Sequence, residues 1–352
     1  MSESMAEDTR ITRKPSMSDV ARRAGVSQTT VSFILNDTPG STIPQETRDR
    51  VWEAVRELEY RPNISARNLR TQSTNLIGYG FDDPTGVTSH PVLDRFLYST
   101  ILSLEAAAYH LLTFVTSKRT DVAIYRDLYR RGQVAGFVLA NTNDDDPRIA
   151  CLLEDNIPFA SFGRSNEEWS FSWVDVDGIN GMEQVVNHLT DRGHRRISLI
   201  TWPEGSKAGS HRELGYSNGL KSAGIIPNSN WLYRGEDLLQ TGAAGIAHFL
   251  SLPEPDRPTA VVCVSDLIAL GAMNALAAEG LVVGRDLAVT GYDDSALAQF
   301  LHPPLTSVRQ PISEVGREVV RLLLGHIRRQ EPGQGTLLNP GLVIRESSDF
   351  TL

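Results

Sequence analysis

At 352 residues and 38.7 kDa the chain exceeds one ordinary domain, so two or three are expected. With 40% hydrophobic and 22% charged residues it has enough apolar surface for sizeable cores, which excludes a wholly disordered or collagen-like chain. The net charge of -9 argues on its face against nucleic acid, but residues 10–73 hold 11 Lys+Arg against 7 Asp+Glu, residues 1–73 are net +1, and the remainder carries -10.

A basic head on an acidic body predicts different partners for the two parts. The richest apolar stretch, Ala260 to Val283, is interrupted by Asp266, Asn274 and Glu279, so no membrane span is expected. Met1 to Lys14 carries acids and no apolar run, unlike a secretory leader. Cys151 and Cys263 stand 112 positions apart without a CxxC spacing. Neither a disulfide framework nor a zinc site is expected, and a reducing cytoplasm fits.

In chain order, a tail over 1–15 precedes a helical head over 16–61. Ser18 is expected to cap a helix over Asp19–Ala24. Gly25-Val26-Ser27 makes a tight turn, with Ser27 placed to cap a second helix, Gln28–Asn36. Val31, Ile34 and Leu35 form its apolar side, and Gln28, Thr29 and Ser32 a short polar one. A third helix follows Pro44, with Val51, Val55 and Leu58 inward. Residues 62–74 read as two further helical turns and a linker.

From 75 onward short apolar runs alternate with helical stretches. The runs are Leu76–Phe81, Leu111–Thr116, Gly136–Ala140, Phe159–Gly163, Ile197–Thr201, Ala260–Val264 and Leu287–Tyr292. The helices between them include Ile179–Arg192, Gly215–Ala223, Leu267–Glu279 and Ile312–Arg329. This rhythm predicts two doubly wound parallel-sheet lobes, with ligands outside the carboxyl ends of the strands.

Two short helices joined at Gly25 have the spacing of a helix-turn-helix, whose second helix enters the major groove. Gln28 can pair with adenine, and Thr29 can offer a hydroxyl or a methyl. A small structural three-helix unit is the alternative. In the body, Asp82, Arg164, Trp173, Asp177, Trp202, Arg212, Asp266 and Asp293 fall just past strand candidates or in the following loops. Carboxylates and Arg offer paired hydrogen bonds and Trp a flat apolar face, a mixture that suits a polyhydroxylated ring. Solvated charges, an inter-lobe salt bridge and core filling by the tryptophans are the bland alternatives.

Enzyme signatures are weak. Gly205-Ser206-Lys207-Ala208-Gly209 is not a phosphate loop and reads as a loop at the cleft mouth, and no GxSxG occurs. His188, His194 and His211 lack metal-ligand spacing and read as surface or helix-end residues. Asp144-Asp145-Asp146 reads as a solvated turn, and Asp293-Asp294 would point oppositely in a strand.

The runs Ser18–Val31, Thr47-Arg48-Asp49-Arg50-Val51, Leu58-Glu59-Tyr60-Arg61-Pro62-Asn63 and Ala66-Arg67-Asn68-Leu69 resemble the lactose-repressor (LacI/GalR-type) family of bacterial transcription regulators. So do His188–Ile197, Arg212 with Gly215-Tyr216, Ser265-Asp266, Gly291-Tyr292-Asp293-Asp294 and Pro303–Val308. The resemblance covers nearly the whole chain after about residue 16.

It implies a small all-α head and a periplasmic-binding-protein-like α/β body. The lobes are expected over 75–175 plus 306–331 and over 176–305 plus 332–352. Gln28 and Thr29 would read bases, while Thr30, Ser32 and Asn36 would touch backbone or groove. Asn63–Arg70 would be a hinge helix folding only on DNA, with Leu69 a minor-groove wedge and Arg70 beside it. Ser18, Ser27 and Ala66 complete the expected DNA-contacting set. Arg212 and Asp293 would touch an effector, and Arg164, Asp177 and Ser265 would line its pocket. Phe33 departs from the pattern, at a position often held by Arg, and Pro44 stands where a capping Ser is usual.

The expected function is sequence-specific transcriptional regulation by a cytoplasmic homodimer, bound to the nucleoid when active. It would be a repressor released from a palindromic operator by a small carbohydrate, with no cofactor, metal, membrane partner or enzymatic activity. A dimer is expected because the sequence ends at Asp349-Phe350-Thr351-Leu352 without an apolar 3.5-residue repeat. The alternatives are a corepressor-type regulator binding a purine or sugar phosphate, and a periplasmic-type sugar-binding protein. The latter has no use for residues 16–70.

Overall fold

The computed structural model describes residues 15–35, 42–60, 74–81, 91–116, 118, 120–329, 331 and 333–351. The chain divides between Ser73 and Thr74 into two units. The expected sites Asn36, Asn63, Ala66, Leu69, Arg70 and Asp82 lie outside the described residues, as does the expected hinge up to Ser73.

In the head, Ser16 rather than Ser18 caps the first helix. Its backbone N–H and its hydroxyl donate to the Asp19 carboxylate at 2.9 and 2.6 Å, so α1 (Met17–Ala24) begins before the expected position. Gly25, at φ 67°, closes α1 in the left-handed region. Then come α2 (Gln28–Leu35) and α3 (Gln45–Glu57), the latter starting directly after Pro44. Val20, Ala21, Ala24, Val31, Ile34, Val51, Ala54 and Tyr60 form the common core.

The body holds two six-stranded sheets. The first lobe contains β1 (Leu76–Phe81), α4 (Pro91–Ala106), β2 (His110–Val115), α5 (Ala123–Arg130), β3 (Gly136–Leu139), α6 (Pro147–Glu154), β4 (Phe159–Phe162) and β5 (Ser172–Val176). The second contains α7 (Gly178–Asp191), β6 (Ile197–Thr201), α8 (Lys207–Ser222), β7 (Leu232–Arg234), α9 (Leu239–Ser251), β8 (Ala260–Cys263), α10 (Asp266–Ala278), β9 (Ala288–Asp293) and β10 (Thr306–Arg309). The chain then returns as α11 (Ile312–Arg329), β11 (Gly335–Leu338) and β12 (Gly341–Val343). The sheets run β11-β5-β4-β3-β1-β2 and β12-β10-β9-β8-β6-β7, parallel throughout except for β12. Both lobes therefore wind their first five strands in the order 2-1-3-4-5.

The strand pairings move two of the lobe crossings. β10 extends the second sheet beside β9, and β11 extends the first beside β5, so the chain crosses near 310 and 339 rather than at 305 and 331. Both strands are four residues long and Thr-Ser-Val-Arg and Gly-Thr-Leu-Leu lack a long apolar run, so backbone pairing places them, β10 between β9 and β12 and β11 at the edge beside β5. α11 packs its apolar side, including Val315, Val319 and Leu323, on the first sheet. Among the described residues no helix is long and apolar enough to cross a membrane.

Two local findings correct the sequence reading. Asp146 is fully buried, caps α6 through the Arg148 N–H and binds the Arg148 guanidinium at 2.7 Å, so only part of the Asp144–Asp146 turn is solvated. His188 and His194 are buried rather than superficial. His188 Nε2 lies 2.9 Å from Ser348 Oγ, and the His194 ring packs edge-on against Phe350.

Helices α9 and α10 meet through glycine. A Cβ at Gly271 would strike the Leu239 carbonyl, and one at Gly242 the Ile268 carbonyl. Backbone cannot yield as a flexible side chain does, so Gly271→Val should destabilise the body by about 3 kcal/mol, read by denaturant unfolding. A second expectation concerns acid. Burial, reinforced by the charge of His188, holds His194 down from 6.5 to about 4. Between those values the unfolded chain binds a proton that the folded chain refuses. This stability is complete above about pH 6.5 and is lost as the pH falls toward 4. Melting temperatures of His194→Gln should therefore fall less steeply over that window than those of the parent.

Candidate ligand cleft and DNA-contact helix

On α2 the side chains of Gln28 and Thr29 are exposed. Ser27 accepts the Thr30 N–H at 3.1 Å, and the two hydroxyl oxygens lie 2.9 Å apart, so both are engaged in the helix cap. Ser32 is buried with Val31 and Ile34 instead of joining the polar face, and Ser18 is half-buried inside α1. Arg22 and Arg23 are exposed on α1, where Arg22 pairs with Asp19 and Arg23 with Glu57.

In the body, a cleft opens at the carboxyl ends of the strands of both lobes. The first lobe contributes Val92, Leu93, Asn141, Thr142, Phe162, Arg164 and Asp175. The second contributes Trp202, Ser206, Lys207, His211, Arg212, Tyr292 and Asp293, and Gln310 lies at a crossing.

Arg212 is the best-anchored group. It stands on α8, not in the loop before a helix starting at Gly215 as expected. Gly205 at φ 94° and the Ser206 cap open α8 at Lys207. The Arg212 guanidinium donates to the Val264 carbonyl just past β8. It lies 3.7 Å from the Tyr292 ring centre and 4.8 Å from that of Trp202. Its other terminal nitrogen is 3.9 Å from Asp293 Oδ1. That carboxylate also accepts from Gln310 Nε2 at 2.7 Å, and its backbone is strained at φ 115°.

Across the cleft, Arg164 donates to Asp175 at 2.8 Å and to His211 Nδ1 at 3.0 Å. Accepting from a guanidinium requires a neutral imidazole. Burial, and then the Arg164 charge, lower the His211 pKa from 6.5 in agreement. Lys207 sits 3.1 Å from Asp144 and 3.6 Å from Glu167. The buried indole N–H of Trp202 has no hydrogen-bond partner among the described residues.

Four residues expected at the pocket take other places. Asp177 caps α7 by accepting the Asn180 N–H at 3.0 Å, and Ser265 caps α10 by accepting that of Ile268 at 3.2 Å. Asp266 lies beneath the lining, accepting from Ser295 N and Ser307 Oγ at 2.6 and 2.5 Å. Burial raises its carboxyl to about 6 against those bonds. Trp173 packs into the first lobe, with Arg164 over its ring at 5.5 Å. Asp175 and His211 line the cleft outside the expected set, while Lys207, expected in a loop at the cleft mouth, lines it from the first turn of α8. The alternation Trp173, Asp175, Asp177 along one strand face was the available signal for Asp175.

Residues 16–63 match the model of bacterial regulatory proteins of the lacI family, and residues 186–348 match that of a periplasmic binding protein-like domain. Over 343 residues the chain is 33% identical to the HTH-type transcriptional regulator CelR of Thermobifida fusca, covering 95% of this chain and 98% of that one. A transcriptional regulator CelR–cellobiose complex superposes with a TM-score of 0.72 at 30% identity, over 95% of this chain and 99% of the other. The lac repressor dimer bound to operator and the anti-inducer ONPF gives 0.82 at 27% identity, over 96% and 99%.

Arg212→Ala should weaken any ligand that fills this cleft at least tenfold, since one charge-assisted grip contributes about 1.5–3 kcal/mol. The measurement is the ligand-induced rise in melting temperature, parent against variant. DNA affinity without ligand should be unchanged, because the head is a separate unit.

Proposed function

The chain belongs to the LacI family of bacterial regulatory proteins and is a DNA-binding transcriptional regulator, and from that premise we propose that it is a homodimeric repressor released from a palindromic operator by a neutral carbohydrate. The charge balance of the cleft carries the choice of ligand. Arg164, Lys207 and Arg212 each have a carboxylate within 4 Å: Asp175, Asp144 and Asp293 respectively. A phosphate would need cationic charge that is not already compensated. A polyol needs paired donors and acceptors, which these ion pairs supply, and flat apolar walls, which Trp202 and Phe162 supply. The unpartnered Trp202 N–H fits a ligand hydroxyl or ring oxygen.

The relatives support this reading: one is complexed with cellobiose, and another is a dimer on its operator. In the head, Gln28 and Thr29 of α2 would read bases from the major groove, and Asn63, Ala66, Leu69 and Arg70 would contact the minor groove. A sugar binding between the lobes would favour one lobe arrangement, and the coupling to DNA affinity is of order 1–3 kcal/mol.

The test is a melting-temperature panel on the full chain with neutral mono- and disaccharides, sugar phosphates and purines. A ligand at 100 times its Kd stabilises by about 2.7 kcal/mol. A neutral glycoside should raise the midpoint and weaken binding to a selected operator fragment in fluorescence anisotropy. A rise confined to purines or sugar phosphates, with tighter operator binding, would replace this reading with a corepressor mechanism.

A further inference from the structure

Among the described residues, Phe33 on α2 stands apart from the apolar core of the head. It is 43% exposed and lies outside the apolar cluster, although Val31, Ser32 and Ile34 around it are buried. It falls one helical turn beyond Thr29 and Thr30, so it extends the surface that Thr29 presents. A lone exposed ring on an ordinary surface needs no explanation. On a helix that enters a DNA groove it does, because that surface loses its water against base edges.

A phenyl ring neither donates nor accepts a hydrogen bond, so it cannot read guanine, adenine or cytosine by their polar edges. Placed on a phosphate it would strip water from a charge without replacing it. The major groove offers one apolar group, the C5-methyl of thymine. We infer that Phe33 is a specificity-determining residue that selects a thymine in each operator half-site by packing its ring on that methyl. The inference rests on the reading of α2 as the base-contacting helix.

Removing the methyl alone isolates the contact. The full-length chain would first select its site from a random duplex pool. Each thymine of the enriched site would then be replaced singly by deoxyuridine, which keeps every hydrogen bond. Burial of one methyl predicts about fourfold weaker binding at one position per half-site, and about fifteenfold when both half-sites are changed. Phe33→Ala should bind the thymine and uracil sites equally, and Phe33→Leu should keep part of the difference. Phe33→Arg should shift selection at that position toward guanine. The exposed ring lies outside the core, so the melting temperature of Phe33→Ala should match the parent.

An enriched site at which no uracil costs affinity would overturn the assignment while leaving α2 as the reading helix. A uracil penalty of equal size in Phe33→Ala would assign the methyl to another residue and also overturn it. A pool that enriches no sequence would remove the reading of α2 and this inference with it.

Discussion

The cleft is organised around one buried cation. Arg212 is only 7% exposed, and a charge so withdrawn from water persists only if its surroundings replace the lost hydration. They do so from three directions: a carbonyl beyond β8, aromatic faces from β9 and from the loop after β6, and the Asp293 carboxylate. Each of these must arrive at a fixed depth, which constrains the helices behind. A Cβ at Gly215 would strike the Ile179 carbonyl, and one at Gly219 would come within 2.7 Å of Val186. The glycines let α8 lie close against α7, and that closeness sets the reach of Arg212. The helix thus gives up intrinsic propensity to gain position.

The same glycines explain where the sequence misleads. A stretch with Gly209, Gly215 and Gly219 reads as a weak helix, so its first two turns look like a loop in the sequence. Conversely, Ile197–Thr201, Leu76–Phe81 and Ile312–Arg329 were legible to the residue, because long apolar runs and strong helical periodicity leave little choice. Short edge strands such as β7 and β12 carry no such pattern and depend on a neighbour's unpaired backbone.

The site was legible where a functional group ends or closely follows a strong strand, as for Arg164, Trp202 and Asp293. It was obscured where a polar residue at a helix start is ambiguous. Asp177 and Ser265 have the right position for a ligand but engage their oxygens with helix N–H groups. His211 looks like a surface or helix-end residue in the sequence and Lys207 like part of a loop at the cleft mouth, and only the folding of one lobe over the other brings them against Arg164 and Asp144.

The two walls of the cleft are held very differently. On the second lobe, Asp294 is bound by Arg309 and by Arg345, each at 2.6 Å, and its N–H donates to Ser307 Oγ at 2.9 Å. Asp266 secures Ser307 from below. This scaffold over-determines the strained backbone of Asp293, so its carboxylate is set before a ligand arrives. The ties that span the lobes are weaker. Glu167 and Asp144 expose 85% and 57% of their side chains while pairing with Lys207, and such exposed pairs contribute about 0–1 kcal/mol. The Arg164–His211 bond exists only while the imidazole is neutral. A ligand that reaches both walls therefore competes with contacts far smaller than the several kcal/mol available from even micromolar affinity. Rigid placement on one lobe and weak fastening to the other let binding energy act on the lobe arrangement, rather than on assembling the site.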